Sequence, residues 1–169
     1  MLVLIYKRII TTMGRKEKKI AILGKLETKY QAPFNDISWE IWSMNKHKDE
    51  EFLPRVDKWF DIHIKPDKPD ADVLREDFPF EECYKLAGGN YFNTITSYLI
   101  AYAILQGATE IALYGMRFTI DHERRQRELY NVRQWIFFAL GRGIKVTIPY
   151  DKEYLLPEHV IEEGKDYDQ

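Results

Sequence analysis

The chain has little cysteine: Cys83 is the single one among 169 residues. One cysteine cannot form an internal disulfide, so the sequence excludes a disulfide-stapled secreted domain. It predicts a cytoplasmic protein with Cys83 in its core. Charge of one sign is not in excess either, because the formal net charge is −2. Without a basic surplus, the composition predicts neither a nucleic-acid partner nor binding to an anionic membrane.

Long hydrophobic runs are absent as well. The most apolar segment, residues 1–10, is shorter than the roughly 20 residues that a membrane-spanning helix needs. It has neither a basic leading region nor a small-residue cleavage site, so no signal peptide is predicted. Met13 opens a second candidate start. We therefore expect residues 1–18 to be an N-terminal extension that packs on its own domain or, in a homo-oligomer, against a second copy.

Several motifs that would name a cofactor or a reaction are missing. Gly24 is the single glycine of the first loop, so neither G-x-G-x-x-G nor G-x-x-x-x-G-K-[ST] is present. The four histidines and the lone cysteine show no metal-ligand spacing, and no metal site is predicted. There is no Ser/His/Asp or Cys/His signature of a nucleophilic enzyme. The cofactor therefore stays unknown at this level.

What the sequence does contain is an alternation of short apolar runs with helical segments. Strands are predicted at residues 20–23, 39–44, 56–62, 110–114 and 144–148, and helices at 80–86, 94–106 and 122–140. This alternation is typical of a parallel sheet covered on both faces. We predict a single three-layer, Rossmann-like α/β domain with a mostly parallel sheet over residues 19–150, followed by an acidic tail at 151–169.

In parallel sheets, ligands bind outside the carboxyl ends of the strands, so residues that follow predicted strands are candidates for binding. Lysine and arginine supply charge there, and the start of a helix supplies unpaired N–H groups that can hold phosphate. The same residues also fit a solvated loop, a helix cap or a surface ion-pair face, and both interpretations stay open. The candidates are Gly24, Lys25, Thr28, Lys29, Asn45, Asn93, Thr94, Ser97, Gly115, Arg117, Gln126 and Arg127.

A separate group suggests acid–base chemistry. Asp57, Asp61 and His63 alternate along the third predicted strand. A carboxylate next to an imidazole can transfer protons, which makes these three residues the catalytic candidates. A structural role fits them equally well, because Asp57 can pair with Arg55 or cap a neighbouring turn.

Several segments of the chain, taken together and in order, resemble those of a known family. They are Ile20-Ala-Ile-Leu-Gly24, Ala32-Pro-Phe-Asn-Asp36, Trp39-Glu-Ile-Trp42, residues 53–63, Tyr91-Phe-Asn-Thr94 with Ser97, Ile111-Ala-Leu-Tyr-Gly115, Glu123 with Gln126-Arg127, and residues 141–146. The chain is similar to a group of small, mostly uncharacterised Rossmann-like proteins encoded by bacteriophages. More remotely, it is similar to Rossmann-type pterin pyrophosphokinase and sialyltransferase-like proteins. The resemblance implies a nucleotide-like ligand. The family tends to have an aspartate where this chain has Arg117, which favours anion binding over catalysis.

Three functions therefore compete. The first is a phage protein that binds a nucleotide-like or other phosphate-bearing small molecule, for instance to sequester a host signal. The second is a nucleotide-dependent transferase or hydrolase. The third is a protein-interaction module, which the aromatic fraction of 14% and the apolar N-terminus favour.

Overall fold

The computed structural model describes residues 17–116 and 123–148. Within these ranges the chain forms six strands, three α-helices and three short 3-10 turns. The strands are β1 (Lys19–Leu23), β2 (Trp39–Met44), β3 (Lys58–Asp61), β4 (Val73–Leu74), β5 (Glu110–Tyr114) and β6 (Lys145–Thr147). The helices are α1 (Phe80–Ala87), α2 (Ile95–Leu105) and α3 (Glu123–Gly141). The 3-10 turns are Glu27–Gln31, Glu50–Phe52 and Arg75–Asp77.

All described strands pair in parallel, in the order β4-β3-β2-β1-β5-β6. The chain moves outward from β1 to β4 and then crosses back to lie on the other side of β1 as β5. The strand order therefore reverses between β1 and β5. Such a switch point opens a crevice, because the connections leave the two strands on opposite sides of the sheet.

The sheet separates two hydrophobic clusters, and β1 contributes to both. Ile20 and Ile22 face the larger cluster, which contains residues of all three helices. Ala21 and Leu23 face a smaller one that holds Ala32 and Phe34 from the β1–β2 connection. A strand buried on both faces needs a continuous apolar run, which explains the absence of polar alternation in β1. Helices form one outer layer, and connecting segments with 3-10 turns form the other.

The aromatic surplus of the composition is concentrated on the helix side of the sheet. Trp42 stacks on Tyr102 with ring centroids 5.3 Å apart, and Phe60 contacts both rings. Phe78 contacts the same group at its edge. Cys83 is buried in this core, and burial raises the pKa of its thiol to about 12. The predicted core position of Cys83 is therefore confirmed.

The predicted fold is confirmed, with local differences. β2 and β5 have the predicted bounds, whereas the third strand is shorter than predicted. β4 was not predicted; it lies in the proline-rich segment of residues 65–79, which contains Pro66, Pro69 and Pro79. Arg117, most of the N-terminal extension and the acidic tail lie outside the described residues. Of the helices within residues 17–116 and 123–148, none is both long and apolar enough to cross a membrane.

Candidate functional site

A cleft of about 710 Å³ lies at the carboxyl edge of the sheet. Its walls come from the residues that follow β1, β2, β3 and β5, and from the first turns of α2 and α3. It therefore spans the switch point between β1 and β5. Both its size and its place are those of small-molecule sites in parallel α/β proteins.

The inside of the cleft is mixed in chemistry. Apolar side chains form much of the wall, and positively charged groups stand around them. A ligand that matches both the apolar wall and the positively charged groups would carry an apolar or flat part together with an anionic part. The apolar side chains are Leu26, Met44, Ile62, Phe80, Ile95, Tyr98 and Met116, and the basic ones are Lys25, His63, Arg75, Arg124 and Arg125.

Gly24 and Gly115 both line the cleft, but they are needed for packing against each other. A Cβ on Gly24 would lie 2.2 Å from the carbonyl oxygen of Gly115. Gly115 has φ +65°, and a Cβ there would lie 2.7 Å from the carbonyl oxygen of Leu26. Any larger residue would push the ends of β1 and β5 apart. The two glycines therefore shape the cleft through the backbone.

The loop after β1 brings one of its three candidate side chains to the cleft. Lys25 lines the cleft. Thr28 accepts a hydrogen bond from the Gly115 N–H at 3.1 Å, which fixes the loop to β5. Lys29 is 1% exposed, and its Nζ lies 2.8 and 2.7 Å from the two carboxylate oxygens of Asp49. Thr28 and Lys29 thus hold the loop, while Lys25 remains available to a ligand.

Asp49 is the counter-charge that holds this loop in place. It also accepts a hydrogen bond from the Tyr30 hydroxyl at 2.6 Å. The hydrogen bonds from Lys29 and Tyr30 lower the pKa of Asp49 to about 2. Lys29 Nζ also donates to the carbonyl oxygen of Lys25 at 3.3 Å, so the ion pair supports the backbone beside the cleft.

The start of α2 is held by a buried residue that the sequence analysis did not single out. The Oδ1 atom of Asn131 on α3 accepts from the Asn93 N–H at 3.0 Å and from the Ser97 hydroxyl at 2.6 Å. Its Nδ2 donates to the Tyr91 carbonyl at 2.7 Å. Asn93 and Thr94 line the cleft, whereas Ser97 points into the α2–α3 contact. Ser97 is therefore a positioning residue in this geometry.

Asn45 lines the cleft just after β2 and has an unusual backbone. Its φ is +56°, the single positive value for a non-glycine residue in the described part of the chain. The conformation is fixed by two bonds, since its N–H donates to Phe60 and its carbonyl accepts from the Trp59 indole. Its Oδ1 is buried and has no hydrogen-bond partner among the described residues. Asparagine tolerates this conformation better than most residues do.

The three catalytic candidates separate in space. Asp57 lies at the opposite, amino-terminal edge of the sheet, where its carboxylate accepts from the Ile41 N–H at 2.7 Å and pairs with Arg55. Asp61, fully buried at the end of β3, contacts His63 Nδ1 at 2.7 Å. His63 lines the cleft. Asp57 therefore lies at the other end of β3 from Asp61 and His63, too far away to act with them.

Asp61 is well prepared to stay ionised. Burial raises its pKa, but hydrogen bonds from the Lys68 N–H and from His63 outweigh burial and hold the pKa below its usual range. A buried carboxylate of this kind fixes the orientation of the imidazole that donates to it. The Nε2 atom of His63 is left as the ring nitrogen that can exchange a proton with a ligand.

The first turns of α3 place Arg124 and Arg125 at the cleft, whereas the predicted residues Gln126 and Arg127 lie outside it. Glu128 accepts from Arg124 Nε at 3.1 Å and from Arg125 NH1 at 2.8 Å. All three line the cleft. Arg127 instead pairs with Glu123 at 3.6 Å, and neither Arg127 nor Gln126 lines the cleft. The predicted residues therefore lie on a neighbouring face of α3, which is turned away from the cleft.

Arg75 is a cleft residue that the sequence analysis missed. It lies in the 3-10 turn after β4, within the proline-rich segment. Its NH1 donates to the Ile62 carbonyl at 3.1 Å, and its guanidinium lies 4.9 Å from the centre of the Phe80 ring. No proline or charge pattern in the sequence signals that this arginine reaches the end of β3.

The described residues contain no group of three or more His, Cys, Asp or Glu side chains that could hold a metal ion.

Comparison with known proteins adds one structural likeness. No protein-family model and no curated protein matches the chain. Among solved structures, the chain is similar to the sialyltransferase CST-II in complex with a trisaccharide acceptor and CMP. The identity is 15% and the TM-score 0.46, and the match covers 79% of this chain and 82% of that chain.

Proposed function

We propose that this protein binds a nucleotide-like, phosphate-bearing small molecule in the cleft at the carboxyl edge of the sheet. The observation that carries the proposal is the composition of that cleft: an apolar wall with basic side chains around it, at the point where the strand order reverses. Phosphate is the anion that such edges hold most often, through helix starts and basic side chains.

The phosphate end of the ligand is assigned to the switch point. Lys25 follows β1 and lines the cleft, and so does Thr94, the residue at which α2 begins. Arg117, which follows β5 in the chain, belongs to this end of the proposal by its sequence position. A lysine, a helix start and an arginine together supply positive charge and N–H donors to one group of oxygens.

The other part of the ligand is assigned to the apolar wall. Met44, Met116 and Ile95 line the cleft beside Phe80 and Tyr98. Thioether and aromatic side chains adapt to flat rings and give favourable contacts with them. A bare inorganic phosphate would leave this surface uncovered, so an organic phosphate fits the cleft better than the ion alone.

The test is a panel of nucleoside mono-, di- and triphosphates read by thermal shift and confirmed by calorimetry. A ligand that binds only the folded state raises the melting temperature as its concentration exceeds the dissociation constant. Lys25→Met and Arg117→Ala should each weaken binding roughly ten- to a hundred-fold, because each removes a charge-assisted contact. Lys48→Met is the matched control, because Lys48 is an exposed lysine outside the cleft. Equal affinity in Lys25→Met and Lys48→Met would place the phosphate elsewhere.

A second candidate function, a nucleotide-dependent transferase or hydrolase, is favoured by the Asp61–His63 contact. The buried carboxylate orients the imidazole, and His63 Nε2 could then take a proton from a hydroxyl group or a water molecule. Asp61→Asn and His63→Ala should in that case abolish turnover while binding persists.

We favour binding without turnover, in which the protein would sequester its ligand. The choice is tested by incubating the purified protein with each ligand that binds and searching for products by chromatography. Release of a chemically changed nucleotide by the wild type, lost in His63→Ala, would establish the enzyme instead.

A further inference from the structure

A further basic side chain of the cleft, Arg75, is held at the end of β3 and not at the switch point between β1 and β5. We propose that this arginine forms a separate oxyanion subsite, so that the ligand carries two anionic groups: a phosphate at the switch point and a second phosphate or carboxylate at Arg75. The inference rests on the proposed function, since it extends the same cleft.

Arg75 has no counter-charge among the described residues. Among the residues that the structure describes, no carboxylate lies within ion-pair distance of Arg75 or of Lys25, whereas Arg124 and Arg125 at the same cleft both pair with Glu128. Asp67 lines the cleft and pairs with neither cation. Arg75 is therefore a cation whose partner the described part of the chain does not supply.

The guanidinium of Arg75 is held by two contacts. One nitrogen donates to the Ile62 carbonyl at 3.1 Å, and the Cζ atom lies 4.9 Å from the centre of the Phe80 ring. A planar fork with one nitrogen held can still present other N–H groups to an oxyanion. Because the side chain is held before a ligand arrives, little side-chain freedom is lost on binding.

Arg75 and Lys25 are anchored at the ends of different strands. Arg75 is tied to the residue after β3, and Lys25 follows β1. β3 and β1 are separated by β2, so their ends lie two strand spacings apart, or about 10 Å. This spacing leaves room for two anionic groups of one ligand, one beside each strand end. In the proposed arrangement each cation contacts one of them.

The test uses inorganic phosphate as the probe and nuclear magnetic resonance as the readout. Phosphate is titrated into the ¹⁵N-labelled full chain while two signals are followed, the Arg75 side-chain Nε–H and the backbone amides of Lys25, Thr94 and Ile95. We expect both sets to shift and to saturate with independent midpoints. Acetate titrated in the same way separates the two sources of the anion: a response at Arg75 to acetate as well as phosphate indicates a carboxylate-compatible subsite.

Three variants sharpen the assignment. Arg75→Met keeps the apolar stem over Phe80 and should abolish the second midpoint, or raise it at least about tenfold, while the shifts at Lys25 persist. Arg142→Met is the matched control, because Arg142 stacks on Phe138 at 4.5 Å outside the cleft. Asp67→Asn should tighten binding at Arg75, since it removes a negative charge from the lining of the same cleft. Circular dichroism confirms that each variant is folded.

The outcomes separate the two proposals. Shifts at Lys25 and Thr94 without any at Arg75 would overturn the second subsite and leave the proposed function intact. Shifts at neither place would contradict both. A single midpoint shared by the two sets, and lost from both in Arg75→Met, would mean one anion site and would also overturn the inference.

Discussion

The amino-terminal and carboxyl edges of the sheet both carry charged side chains, but the two edges differ in how far ion pairs match those charges. At the amino-terminal edge a hollow of about 400 Å³ is bordered by residues that neutralise one another. Arg55 pairs with Asp57 at 3.2 Å, and Lys18 pairs with Glu40 at 3.7 Å. Lys58 shares the same glutamate at 3.7 Å. The positive charge at this edge is thus matched within the chain.

At the carboxyl edge, Lys25 and Arg75 face a larger cleft without a carboxylate partner among the described residues. The two hollows therefore differ in charge pairing. Ion pairs match the positive charge at the amino-terminal edge, whereas the proposed binding site keeps two cations without a carboxylate partner among the described residues. This difference can be tested, because the two edges share the same central strands.

The largest expected effect is on the strand that supports both edges. Ile22 is fully buried in the middle of β1. Ile22→Asp buries an unpaired charge, which costs several kcal/mol and is comparable to the whole stability of a domain of this size. We expect the variant to be unfolded by circular dichroism. Ile22→Val, the control, should cost only about 0.5–1.5 kcal/mol. A native-like spectrum for Ile22→Asp would contradict the central position of β1.

A smaller effect separates the two edges. The Asp57 N–H donates to the Ile41 carbonyl, and its carboxylate accepts from the Ile41 N–H, so it continues the β2–β3 pairing by one residue. Asp57→Ala should lower the free energy of unfolding by about 1–2 kcal/mol in urea, because an N–H is left without its acceptor. Phosphate binding at Lys25 should be unchanged. A loss of that binding in a folded Asp57→Ala protein would show that the edges are coupled.

Much of the fold could be predicted from the sequence because its signals are local. Residues 39–44 and 110–114 are short apolar runs bounded by polar residues or glycine, and they form β2 and β5 with the predicted bounds. For the candidate site, the sequence predicted only which residues follow strands or begin helices. Of these, Gly24, Lys25, Asn45, Thr94 and His63 line one cleft, and their contact with a ligand stays a prediction.

The parts of the candidate site that could not be predicted depend on contacts between residues far apart in the chain. Lys29 is a loop lysine by sequence, and its burial follows from Asp49, 20 positions away. Ser97 is drawn to Asn131, 34 positions away. Arg75 reaches the cleft because the proline-rich segment forms β4 and a turn there. No local pattern carries these pairings, so the sequence could not distinguish ligand contacts from residues that hold the cleft in place.

The smallest expected effect is a pH dependence that belongs to the carboxyl edge alone. His47, 2% exposed, follows β2 at that edge, whereas the residues that border the amino-terminal hollow include no histidine. Its Nε2 lies 3.0 Å from the Met44 carbonyl. Burial, then the charge of Lys29, lower the pKa of His47, with Lys25 adding to and Asp49 opposing the effect.

The sign follows from which state binds the proton. Below the ordinary histidine pKa of about 6.5, the unfolded chain gains a proton at His47 that the folded chain does not take up. Stability from this residue is therefore present above about pH 6.5 and falls as the pH is lowered, by at most about 1.4 kcal/mol per pH unit. Asp49 does not interfere, because its pKa is lowered to about 2 and its contribution is lost only in stronger acid.

Urea unfolding between pH 7.5 and 5 measures this dependence, with His47→Gln as the variant that cannot titrate. The variant should lose part of the wild-type decrease in stability over that range. Because the Lys29–Asp49 pair and the loop that carries Lys25 lie next to His47, protonation is also expected to weaken phosphate binding at Lys25 more in the wild type than in His47→Gln. Parallel stability curves for the two proteins would show that His47 is protonated equally in both states. The comparison between the edges would then rest on their ion pairs alone.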